Sequence, residues 1–200
     1  MEFVRFVVLW LAANVIGFVL GSRWGATDGG QITKTLDGFA GLVLGDLVFG
    51  ACFGLAQWLV LRATRFVDVS AWWAVLSSLG FTLGARLGSL LTYRILDLHD
   101  ALEPAFVFGI FMGGSIGLAT YFSIRHPFDW KLMAGWVAVF VLAWVIGEDI
   151  SFDSHFSQDV IPRVGLAIGG VTGAGLTALH LLRRKRFPFN GASLTRSMDR

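Results

Sequence analysis

Six runs of apolar residues divide the chain, at positions 3–21, 39–61, 71–85, 105–124, 132–147 and 161–182. A helix that crosses a bilayer needs about 20 mostly apolar residues. Four of the runs approach that length on their own. The third reaches it through Leu90 and Leu91 if Arg86 snorkels or is paired. The fifth gains length from Trp130 at the membrane interface. The pattern predicts an all-α, six-span transmembrane bundle forming one domain over 1–186, followed by a polar tail over 187–200. Leu87, Leu90, Leu91, Ile95 and Leu98 recur at helical spacing after the third run and predict an amphipathic interfacial helix. Phe152, Phe156 and Val160 suggest a second one.

The odd runs repeat one another. They read WLAANVIGFVLGSR from Trp10, WAVLSSLGFTLGAR from Trp73 and WVAVFVLAWVIGED from Trp136, a step of 63 residues each time. The even runs end in GLAQWLVLR from Gly54, GLATYFSIR from Gly117 and GLTALHLLR from Gly175, at steps of 63 and 58. The unit is therefore a helical hairpin, with copies over about 3–62, 71–125 and 132–184. Copies of equal orientation are parallel repeats, related by an axis along the membrane normal, so the expected bundle is pseudo-threefold. Glycines four apart (Gly17/Gly21, Gly80/Gly84, Gly50/Gly54, Gly113/Gly117 and Gly169/Gly173) read as small faces that let helices approach closely. The repeated tryptophans read as anchors at the inner interface.

Charge orients the hairpins. The N-terminus, 62–70, 125–131 and the tail hold 11 Lys and Arg, against 5 in the other loops. Acids are biased the other way, 4 against 9. By the positive-inside rule both termini lie in the cytoplasm, and the expected location is a bacterial inner membrane. The first run has no small-x-small cleavage site after it and is read as a retained span.

Composition removes several function classes. The chain is 55% hydrophobic and 15% charged, whereas a soluble domain carries about 25% charged residues. Cys52 is the single cysteine, which excludes an internal disulfide, a thiolate cluster and a redox CxxC pair. The basic residues sit at segment ends, as topology signals do, so nucleic acid is not an expected partner. The basic run Arg183, Arg184, Lys185 and Arg186 reads as a stop signal. His99 and His155 stand near acids, but no spacing matches a ligand signature, and neither a metal nor a cofactor is expected.

Two polar sets are candidate sites. Arg23, Arg86 and Asp149 occupy equivalent repeat positions, with Glu148 beside the last, and could form a charge ring at the outer ends of the odd spans. Asp46 could join it by pairing with Arg86. Ionisable groups at such depth are costly unless paired. Deeper lie Asn14, Gln57, Ser77, Tyr121 and His180, candidates for an intramembrane polar site. Asn14 and Ser77 share a repeat position with Phe140, which breaks a symmetric polar pore on one side.

The segment GLAQWLVLR, with GxxxG upstream and Trp downstream, resembles a signature of bacterial polytopic membrane proteins to which no activity is attached. The three-hairpin plan also resembles mitochondrial solute carriers, whose longer repeats carry Pro in the odd helices. The odd spans here have none, so no carrier residue transfers. Gly113-Gly114-Ser115-Ile116-Gly117 with His180 is similar to the motifs of rhomboid proteases. Ile116 stands where that family has Gly, and no Gly follows His180 within a turn, so catalysis is not implied. Three readings follow. The first is a transporter or solute-binding protein with a site between the repeats. The second is a non-catalytic structural or accessory subunit, with the bilayer and other membrane subunits as partners. An intramembrane enzyme is the remainder.

Overall fold

The computed structural model describes residues 2–25, 30–98, 102–125, 128–153 and 159–186. His99, Asp100, His155, most of the second expected interfacial helix and the tail over 187–200 lie outside them. The elements are α1 (Glu2–Gly25), the short α2 (Gln31–Thr35), α3 (Gly38–Thr64), α4 (Trp72–Ser89), α5 (Leu102–Tyr121), α6 (Trp130–Asp153) and α7 (Ile161–Arg186). Six of these helices are long and apolar enough to cross a membrane, and the chain is an integral membrane protein of the multi-pass kind. Spanning helices satisfy every backbone N–H and C=O internally, which hydrocarbon demands. Pro104 and Pro162 sit in the first turns of α5 and α7, where the missing N–H would have had no helical acceptor.

The expected interfacial helix after the third run is instead a continuation of α4. The helix runs on as a π-helical segment, Leu90–Ile95, and the whole span covers Trp72–Ile95. The physical reason is length, because the apolar core of the run is too short to cross alone.

The six spans form a closed ring. Each lies beside two others, in the order α1, α3, α4, α5, α6, α7 and back to α1. One end of the ring carries the start of α1, the end of α7 and the segments 65–71 and 122–125, and is the terminal end. The opposite end is the distal end. At the terminal end the two loops are bound together by Ser70 N–H donating to Ser123 O at 2.9 Å and Arg125 N–H donating to Asp68 O at 3.0 Å. Tyr121 Oη accepts from Asp129 N–H at 2.9 Å and donates to Asp129 O at 2.8 Å, which pins the turn into α6.

In lipid no hydrophobic drive pushes helices together, so close packing must do it. Glycine supplies that closeness at the crossings. A Cβ on Gly17 would stand 2.9 Å from Phe53 Cα, and one on Gly80 2.9 Å from Ile116 Cα. Even-span glycines meet the other neighbour in the same way: Gly50 faces Ser78, Gly113 faces Val141 and Gly165 faces Val15. Those three partners are 63 residues apart. The three glycines are 63 and 52 apart, so contacts in the last even span follow a step of 52 and not the 58 suggested by its closing residues.

Candidate functional site

The repeated tryptophans are not interface anchors. Trp10, Trp73 and Trp136 are all fully buried. Trp73 and Trp136 meet at 6.0 Å between ring centroids, although α4 and α6 are not neighbours in the ring. Their rings therefore meet across its interior. A buried indole needs an acceptor for its N–H, and each finds one on an even span. Trp10 Nε1 donates to Thr172 Oγ1 at 3.0 Å, Trp73 Nε1 to Gln57 Oε1 at 3.2 Å, and Trp136 Nε1 to Thr120 Oγ1 at 3.1 Å. Thr120 and Thr172 donate in turn to the carbonyls of Ile116 and Ile168, each at 2.7 Å.

Asn14, Gln57 and Ser77 lie together in this layer and are fully buried. Gln57 Nε2 donates to Asn14 Oδ1 at 2.9 Å, and Asn14 Nδ2 donates to Trp10 O at 2.8 Å. The amides are thus engaged on both their oxygen and their nitrogen, which leaves little for a solute to bind. Ser77 Oγ has no partner among the described residues; it stands against Gly54, where a Cβ would crowd its hydroxyl at 2.8 Å. The other two members of the expected polar site lie elsewhere. Tyr121 ties the turn at Asp129, as described above. His180 Nδ1 is 3.1 Å from Phe66 O, and its ring stacks on Phe66 at 4.4 Å. Phe66 stacks on Phe6 at 3.9 Å, so these three rings form a pile at the terminal end of the ring.

Toward the distal end the interior stays aromatic. Phe18, Phe81 and Trp144 occupy the next equivalent level, with Trp144 at 5.5 Å from Phe18 and 5.6 Å from Phe81. Phe53 reaches Trp144 at 5.9 Å from the opposite side of the ring.

The five expected charge-ring residues are not brought together as one set. Arg86 Nη2 pairs with Asp46 Oδ2 at 2.7 Å, and the Asp46 side chain is 1% exposed. Arg23 and Asp149 are exposed, and Glu148 is half-buried. Arg23 has no acid facing it at the position that Asp46 fills for Arg86.

The residues least expected in a site are the three tryptophans. Their signal was available: Trp recurs at the same step as Gln57 and Thr120. Replacing Gln57 with Leu orphans the Trp73 N–H and the Asn14 carbonyl together. The expected cost is about 2 kcal/mol, against roughly 1 kcal/mol for Trp73→Phe, which removes a single donor. Both are read from apparent unfolding of the purified protein in mild detergent. No protein family, no curated protein and no solved structure matches the chain.

Proposed function

We propose that the protein is a non-catalytic structural subunit of a membrane assembly, built from three copies of one out-and-back hairpin around a closed axis. What carries this reading is the aromatic filling of the ring interior, from Trp10, Trp73 and Trp136 to Phe18, Phe81 and Trp144. A solute path along the axis would need these rings to part and the amide pairs to break. The pseudo-threefold plan is supported by equivalent residues making equivalent contacts: three indole bonds, and three glycine crossings on residues 15, 78 and 141. Basic residues gathered at the terminal end support cytoplasmic termini in a bacterial inner membrane.

Thiol accessibility tests the closed axis. In a Cys52→Ser background, cysteines placed at 14, 77 and 140 are expected to stay unlabelled by a membrane-impermeant thiol reagent applied from either side. Labelling at all three positions from one side would overturn the reading. Purification from native membranes tests the assembly: a stoichiometric membrane partner is expected, and a lone monodisperse monomer would speak against it.

A further inference from the structure

The interfaces α3–α4 and α5–α6 differ at several equivalent positions, one charged pair among them. In the first, Asp46 and Arg86 fill the distal crevice with a bonded ion pair. Sixty-three residues on, the same two positions hold Gly109 and Asp149. The glycine contributes no side chain, and its helix touches α6 directly: a Cβ there would stand 2.5 Å from Val145 Cα. The arginine has become a carboxylate. Beside this crossing, toward the distal end, a groove of about 550 Å³ lies open on the flank of the ring. Leu102, Phe106, Val145 and Ile146 make its walls, and Glu103 and Asp149 supply its acids.

Groove size and lining suit a small molecule. Ligand sites are concave, mostly apolar and carry a few placed polar groups, with volumes of about 300–1,000 Å³. The chemistry of the polar groups selects the occupant. Both are carboxylates, and none of the described lining residues is cationic. In the equivalent crevice a guanidinium answers the acid; here no described lining residue does. Glu103 lies in the first turn of α5 and Asp149 near the end of α6, which puts both at the polar boundary of the spans. A charge bound there remains near water while an apolar body descends between the helices.

We infer that the groove between α5 and α6 binds a hydrophobic cation, an apolar molecule carrying one positive charge, held by Asp149 and Glu103. The site faces the flank of the ring and not its axis. The comparison of the two crevices rests on the hairpin correspondence proposed above; the groove and its acids do not. Thiol accessibility at 14, 77 and 140 tests the closed axis separately, so the two can fail independently.

Tetraphenylphosphonium and tetraphenylborate form the decisive probe pair, because they share shape and differ in the sign of charge. The full-length protein in phosphatidylcholine nanodiscs is equilibrated with each ion, and binding to protein-free nanodiscs is subtracted. Saturable binding of the cation alone is expected. Asp149→Asn with Glu103→Gln should weaken it by at least about tenfold. Asp149→Arg restores the arginine of the other crevice and should abolish it. Ile146→Trp, at a lipid-facing wall position, should block it by filling the groove while leaving both acids in place. Equal binding of both ions would mean an apolar slot that ignores charge, and would overturn the proposal. So would cation binding that survives loss of both carboxylates, or no binding of either ion.

Discussion

Gly113→Ala is expected to cost about 3 kcal/mol or more of stability, while Gly114→Ala, one residue away, is expected to be neutral or to stabilise by up to about 1 kcal/mol. At Gly113 the added methyl would lie 2.5 Å from Val141 Cα and 2.6 Å from the Phe140 carbonyl carbon. These are backbone atoms of α6, which cannot move aside as a side-chain tip can. The whole helix would have to retreat. That retreat would also draw Phe140 out of the interior, where it is fully buried and packed on Trp136 at 4.8 Å. At Gly114 the nearest atom is a Val141 methyl at 4.0 Å, an ordinary contact. Alanine there only removes the entropic penalty of a helical glycine. The pair is measured by apparent melting in mild detergent and by the fraction recovered as monodisperse protein. Equal behaviour of the two variants would mean that α5 and α6 do not cross at Gly113.

The same contrast explains how far the sequence could be read. Spans are legible because hydrocarbon imposes one requirement, about 20 apolar residues, wherever they sit. The recurrence of Trp, Gly and a terminal Arg along the chain is legible as well. The register of the last even span is not legible from its closing GLTALHLLR, because arginine at a span end answers to the membrane interface and not to the neighbouring helix. Interior contacts choose Gly165, Gly169 and Thr172 as the partners of Val15, Asn14 and Trp10. Two registers six residues apart present different faces of a helix with 3.6 residues per turn, so the choice decides which side chains reach the axis. The burial of the tryptophans is not legible either, for a related reason. Near a span end an indole serves either as an interface anchor or as a buried donor, and only the acceptor on a distant segment distinguishes them. Thr172 is 162 residues from Trp10. Tyr121 and His180 face loop backbone for the same reason, since nothing in their own spans reveals which turn folds over them.

Arg86→Met is expected to cost about 3–5 kcal/mol, because it leaves the Asp46 carboxylate buried without its partner. Asp46→Leu should cost less. The Arg86 side chain is 21% exposed against 1% for Asp46, and its long stem lets the guanidinium swing toward the distal interface. The double variant should recover most of the loss. Replacing a buried ion pair by apolar residues of similar volume is often neutral or stabilising. A double-mutant cycle on apparent unfolding measures the coupling, expected at about 2 kcal/mol or more. Additive losses would mean that the two charges act separately, each held by water or lipid headgroups. Strong coupling would make this pair the one element of the expected charge ring that contributes to the fold. The α5–α6 interface would then stand apart on energetic grounds as well. Where α3 and α4 are joined across their distal crevice by an ion pair, α5 and α6 meet there at the Gly109 crossing and hold an acid open at the rim.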